Sequence, residues 1–183
     1  MLAPRKTLHS TPLRVFRKAL EIVHVQPKDV LYDVGCGDGR CVIEAAVRYG
    51  IRAVGIEIDK DRVTQARLAA QEAGVEHLVT IHHGNALDYS LDEASVVFLF
   101  LIERGLRLIQ PKFESRTQPC RVVTYLYKFP EAPYRKRQLI PAKDTTDDVA
   151  FPIFLYQFPS RDRLTDEETQ NSEVDSPRSD RTA

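Results

Sequence analysis

Asp33-Val34-Gly35-Cys36-Gly37-Asp38-Gly39-Arg40 decides the fold. The apolar run Val30-Leu31-Tyr32 leads into it, and Cys41-Val42-Ile43-Glu44-Ala45-Ala46, spaced as a helix, leads out. A strand therefore turns sharply through alternate glycines into a helix. Glycine carries no Cβ, so the backbone can enter the φ > 0 region and a ligand can come close. The turn is expected to aim backbone N–H groups and the positive end of the helix dipole at one spot.

The residue types select the ligand. A dinucleotide turn reads G-x-G-x-x-G and would need glycine where Arg40 stands. Here Gly35, Gly37 and Gly39 alternate, and Asp33 closes the strand before them. A carboxylate there repels a pyrophosphate and suits an ammonium group. S-adenosylmethionine (SAM) carries an ammonium, a sulfonium and a carboxylate, and fits an acidic strand end beside a tight glycine turn better than NAD does. Ile51-Arg52-Ala53-Val54-Gly55-Ile56-Glu57-Ile58-Asp59 reads as the next strand. It puts Glu57 about 20 residues beyond the turn, at a strand tip where a ribose diol is held by two hydrogen bonds. Candidate cofactor contacts are thus Asp33, Gly35, Cys36, Gly37, Asp38, Gly39, Glu57 and Ile58.

With these motifs, the chain resembles the class I SAM-dependent methyltransferases. Within them it is similar to a group of bacterial stand-alone methyltransferases and eukaryotic lysine methyltransferases that act on a mitochondrial ATP synthase subunit and on the adenine nucleotide carrier. A more distant similarity is to the non-SET histone lysine methyltransferase. Further matching pieces are Thr11-Pro12 before an amphipathic helix and Ala94-Ser95-Val96-Val97-Phe98-Leu99-Phe100-Leu101, with Arg121-Val122-Val123-Thr124 a weaker match. The resemblance runs from about Ser10 to Phe158. It implies a Rossmann-like α/β fold with a seven-stranded, mostly parallel sheet, SAM as methyl donor, and a protein lysine as acceptor.

It also implies roles for single residues. A threonine before the first helix helps close over SAM in the resembling group, and Thr11 matches it; the other reading is a plain N-cap, with Pro12 as first helical residue. Class I methyltransferases often place Asp or Asn after the third strand, against the adenine amino group. Gly84-Asn85-Ala86 stands there, and an amide oxygen can accept from that amino group; a simple polar turn is the alternative. Phe100-Leu101-Ile102-Glu103, at the tip of the fourth strand, lies where amine methyltransferases present the acceptor. The Asn/Asp-Pro-Pro-Tyr of adenine and amide-nitrogen methyltransferases is absent from it. Many relatives carry a tyrosine near Phe100. They usually also have Gly before, and Ser-His within, the fifth strand, where this chain has Pro119-Cys120 and Thr124-Tyr125. Roles held by those groups do not carry over.

Periodicity predicts a helix from Thr11 with Leu13, Phe16, Leu20 and Val23 on one face, and another over Arg40–Tyr49 closed by Gly50. A third, capped by Asp59, has Val63, Ala66, Ala70 and Ala73 as its buried stripe and ends at Gly74. A short fourth holds Leu106, Ile109 and Phe113 and is interrupted at Pro111. Strands are expected over Val30–Val34, Ala53–Ile58, Leu78–His83, Ser95–Leu101 and Arg121–Tyr127. Only Lys128–Tyr134 precedes the next extended piece, too short for a crossover helix. Arg137–Ala142 and Val149–Phe158 should therefore form a C-terminal antiparallel hairpin with its turn at Asp144–Asp148.

The 183 residues, 43% of them hydrophobic, suffice for one domain with a real core. Residues 1–10 are expected to be flexible, 11–159 to form the domain, and 160–183, rich in Asp, Glu, Ser, Thr and Arg, to be a disordered polar tail. A formal net charge of +0 gives no broad nucleic-acid footprint. No apolar run is long enough for a transmembrane segment. Three cysteines, Cys36, Cys41 and Cys120, without a repeated C-x-x-C, fit a reducing compartment and no metal site. The cytoplasm is the expected location. The basic start, with Arg5, Lys6, Arg14, Arg17 and Lys18, leaves a mitochondrial presequence as the alternative.

Methyl transfer from a sulfonium is an in-line displacement on an activated group, so alignment dominates catalysis. The acceptor lysine must be neutral; its ordinary pKa of ~10.4 falls on desolvation, which an apolar, aromatic mouth provides. Phe98 and Phe100 alternate along one strand and share a layer. Phe98 is expected in the core, whereas Phe100 either lines the acceptor channel or packs inside. Glu103 is a candidate proton acceptor or else a surface carboxylate. With no inserted lid, the site suits a side chain of a protein substrate. Methylation of a small metabolite and a catalytically inactive SAM-binding module are the alternatives.

Overall fold

The computed structural model describes residues 10–141 and 150–159. The expected flexible start before Ser10, the turn at Asp144–Asp148 and the tail 160–183 lie outside the described residues.

Seven strands form one sheet: β1 Val30–Val34, β2 Arg52–Glu57, β3 Val79–His83, β4 Val96–Leu99, β5 Cys120–Tyr125, β6 Lys136–Pro141 and β7 Ala150–Phe158. Their order is β3-β2-β1-β4-β5-β7-β6. The first five are parallel, and β7 pairs antiparallel with both β5 and β6. This is the Rossmann-like, mostly parallel sheet with the C-terminal antiparallel hairpin that the short Lys128–Tyr134 link requires.

Alternation along the strands builds two apolar layers. Leu31, Ala53, Val96 and Phe98 face one way, onto α1 (Leu13–Ile22), α2 (Arg40–Tyr49) and α3 (Lys60–Glu72). Tyr32, Val54, Val97 and Leu99 face the other way, onto α4 (Glu103–Glu114) and an aromatic group of Phe113, Phe129, Tyr156 and Phe158. With both faces covered, the central strands read as continuous apolar runs. Strand order reverses at β1, which lies between β2 and β4, and such a switch point opens a crevice at the strands' carboxyl ends. Asp33 pairs with Gly55 on one side and Phe98 on the other, so it stands at that point.

Three expectations change. Pro12, not Thr11, is the N-cap of α1, and no side chain caps that helix. Ala73 is exposed; α3 ends in a glycine cap in which Gly74 N–H bonds Gln71 O (2.9 Å) and Val75 N–H bonds Ala70 O (3.0 Å). Val75, beyond the cap, is the residue that reaches the core. Helix α4 runs through Pro111 rather than stopping there. Leu106, Ile109 and Phe113 are all fully buried along it, and this packing outweighs the missing backbone bond.

The end of α1 is tied to the sheet. Arg121 of β5 donates to Val23 O (2.5 Å) and His24 O (3.2 Å) and pairs with the buried Asp29. Burial alone would raise the Asp29 pKa, but hydrogen bonds from Ser95, the Gln26 N–H and Arg121 hold it below the ordinary carboxylate value. Among the described residues, no helix is long and apolar enough to cross a membrane.

Candidate active site

A cavity of about 450 Å³ opens at the carboxyl ends of β1, β2 and β4. Of the residues singled out from sequence, Thr11, Asp33, Gly35, Cys36, Gly37, Asp38, Glu57, Ile58, Asn85, Ala86 and Phe100 line it. Two do not. Gly39 is the N-cap of α2, with φ 79°, and a Cβ there would lie 2.8 Å from Ala66 Cβ, so this glycine lets α2 pack on α3. Glu103 is exposed and pairs with Arg107 at 3.4 Å, the surface-carboxylate arrangement.

The glycine turn does not offer its N–H groups to the cavity as expected. Gly35 and Cys36 N–H both donate to Ile56 O (2.8 and 3.2 Å), and Gly37 N–H donates to Glu57 Oε2 (2.9 Å). Gly39 N–H bonds Cys36 O (3.0 Å), and Arg40 N–H bonds Asp38 Oδ1 (3.2 Å). The spot at which the first three converge is the tip of β2. Their bonds lock the turn onto that strand, so these groups form no anion cradle, in keeping with the rejection of a pyrophosphate ligand.

Glu57 is the centre of this lock. It is 5% exposed, and its Oε1 also accepts from Ile58 N–H (2.8 Å) and Asp59 N–H (2.9 Å). Asp59 in turn caps α3 through Asp61 and Arg62 N–H, as expected. Oε1 thus accepts two bonds and Oε2 one, so the acceptor capacity that remains is on Oε2.

Asp33 differs. It is 5% exposed too, yet among the described residues nothing donates to its carboxylate. Burial, then the charges of Glu57 and Asp38, push its pKa up to about 7. Asp38 is neutralised instead: Arg40 Nε donates to its oxygens at 3.0 and 3.1 Å. Burial works against Asp38, but those bonds keep its pKa below the ordinary value. A buried acid without a partner, facing a cavity, fits an entering cation, and the ammonium of SAM is one. The residues present therefore fit the donor.

Gly55 makes room for the turn. A Cβ on it would meet Cys36 Sγ at 2.6 Å and Ile81 Cδ1 at 2.9 Å. Burial, with Asp33 and Glu57 nearby, pushes the Cys36 thiol pKa far up, so it stays protonated and fills the space over β2. Gly55→Ala is expected to shift the turn, costing about 1–3 kcal/mol of stability and weakening donor binding together. Urea denaturation and calorimetry on this variant check it; full donor affinity would contradict it.

The remaining wall is mixed. Thr11 is 8% exposed beside the cavity. Asn85 Oδ1 accepts from Leu87 N–H (3.2 Å), so it shapes the polar turn and lines the cavity at once. Phe98 is core, edge-on to Phe16 at 5.2 Å. Phe100 is half-buried on the wall, its ring 4.8 Å from that of Tyr125. Sequence reasoning missed Cys41, Arg62, Arg104, Gly105 and Leu108, which also line the cavity, whereas Arg40, Gly84, Leu101 and Ile102 line it from within the motifs already quoted. The available signal was Leu108, an aliphatic residue off the buried stripe of α4.

The model of the ANTKMT methyltransferase domain matches residues 33–136. A protein-lysine N-methyltransferase of Saccharolobus islandicus is 34% identical over 148 residues, 80% of this chain and 89% of that protein. A lysine N-methyltransferase of Xenopus laevis, named for an ATP synthase subunit, is 29% identical over 102 residues, 55% of this chain and 45% of that one. Among solved structures, an RNA methyltransferase from Salinibacter ruber in complex with S-adenosyl-L-homocysteine superposes with a TM-score of 0.73 at 35% identity, covering 83% of this chain and 95% of that one. The chain belongs to the ANTKMT methyltransferase domain family, and by family and fold it is a SAM-dependent methyltransferase.

Proposed function

We propose that the chain methylates a lysine side chain on a protein. One observation carries this reading: the cavity runs from buried acids on its β1–β2 side to an apolar lip on its β4 side, formed by Phe100, Leu101, Ile102 and Leu108. The lip suits a lysine, whose apolar stem packs while its amine loses water. The named activities of the Saccharolobus and Xenopus relatives support the same acceptor.

Bound SAM supplies an activated methyl group. Asp33, ionised, holds its ammonium. Glu57 holds a ribose hydroxyl through the acceptor site left on Oε2 beside its three backbone bonds. Ile58, Asn85 and Ala86 flank the adenine, and Thr11 closes over the donor. The glycine turn, locked onto β2, keeps Asp33 and Glu57 at fixed separation, which is the alignment such a displacement needs. Phe100 borders the amine. Its ring face favours an approaching cation, and the surrounding apolar wall lowers the lysine pKa so that the ammonium releases its proton to solvent at the open mouth and the neutral amine forms. Glu103, outside the cavity, is given no part in proton transfer.

Incubation with methyl-labelled SAM and a cell extract tests the reading. Label in protein, recovered as methyl-lysine after hydrolysis, is expected. Label in RNA, the substrate class named for the Salinibacter protein, would overturn it. So would label in small molecules, or no transfer despite SAM binding.

A further inference from the structure

Helix α4 begins at the mouth of the cavity. Ile102, its N-cap, and Leu108 both line the cavity and are 43% and 40% exposed. Arg104 stands on the same lip. Two large aliphatic side chains thus stand partly exposed beside the opening through which an acceptor can reach the cavity. The charges around them are unbalanced. Glu103 is taken by Arg107, and Asp38 by Arg40. Arg104 makes no hydrogen bond or ion pair among the described residues. The buried acids of the site lie on the β1–β2 side, whereas this lip follows β4 on the far side of β1.

We propose that this lip selects the acceptor: it docks a protein segment that carries a carboxylate and an aliphatic residue close to the methylated lysine. The carboxylate pairs with the Arg104 guanidinium, whose planar fork suits it. The aliphatic side chain covers Ile102 and Leu108. The inference rests on the lysine reading and adds the sequence context that the enzyme prefers.

A library of synthetic peptides tests it, each with one lysine flanked by Asp, Ser or a second charge of opposite sign, with and without a neighbouring Leu. Methyl-labelled SAM reports turnover. Wild type is expected to prefer Asp-flanked over Arg-flanked peptides by about tenfold, a difference of ~1.4 kcal/mol. Arg104→Glu should invert that order, and Leu108→Ala should lower turnover of the Leu-containing peptides more than that of the others. Calorimetry with S-adenosylhomocysteine should give unchanged affinity in both variants. An unchanged peptide preference in Arg104→Glu would overturn the proposal. Loss of S-adenosylhomocysteine affinity in that variant would overturn it too, by placing Arg104 on the donor. Label entering extract proteins but no peptide would sink the docking lip and leave the lysine reading standing. Label entering neither would sink both.

Discussion

Glu57→Ala will loosen the fold and release the donor in one step. The Glu57 carboxylate accepts backbone N–H bonds from Gly37, Ile58 and Asp59, so its removal orphans donors on two segments at once. An orphaned buried donor costs about 1–3 kcal/mol, less where water reaches it. A total loss of about 3 kcal/mol corresponds to a Tm lower by roughly 6–12 °C in a domain of this size. Donor affinity should fall further, about a hundredfold, because the ribose contacts go and the glycine turn is no longer pinned to β2. Glu57→Gln keeps the volume but turns one accepting oxygen into an NH₂ facing backbone N–H groups, so it should behave much like alanine. Thermal melts with and without S-adenosylhomocysteine check both effects. A variant with wild-type Tm would show that the lock does not hold the turn.

Asp33→Asn should act oppositely on stability and on binding. The pKa of Asp33 stands at about 7 in the folded chain against an ordinary 3.8. The folded state therefore binds this proton more tightly than the unfolded one. Between those pH values stability falls as pH rises, by up to about 1.4 kcal/mol per unit. Asparagine carries no such charge. Without donor, the variant should melt above wild type at pH 8, and the two should converge below pH 4. Donor binding reverses the order. The donor's ammonium needs the ionised carboxylate, so wild-type affinity should weaken as pH falls below about 7, by up to tenfold per unit. The variant should bind weakly and without that slope. Stability is thus held down at a site that function requires. Parallel pH slopes for the two proteins, in calorimetry between pH 5.5 and 7, would contradict this.

Much of this was legible in the chain because local signals and tertiary fold agree. Apart from Asp33 at its tip, Val30–Val34 is apolar on both faces, as is Val96–Leu99 and as central parallel strands must be, and Gly50 and Asp59 close and open helices as their chemistry dictates. Asp33 and Glu57 could be placed because strand tips are fixed once strands and glycine turn are known. What escaped was set by contacts between distant segments. The partners of the Gly35, Cys36 and Gly37 N–H groups lie in β2, some 20 residues on, and no local pattern announces them. Pro111 reads as a helix breaker until Leu106, Ile109 and Phe113 are seen buried on both sides of it. Thr11 has a capping side chain, yet Pro12 starts the helix and leaves Thr11 on the cavity wall. Arg104 and Leu108 belong to no motif, and only the cavity groups them with Ile102 of the β4 tip.

A crystal structure of the chain with S-adenosylhomocysteine tests the central claim most directly. The Asp33 carboxylate should lie within about 3.2 Å of the ligand's amino group, and Glu57 Oε2 within the same distance of a ribose hydroxyl. Both side chains turned away from the ligand, with the ligand held elsewhere in the cavity, would contradict it.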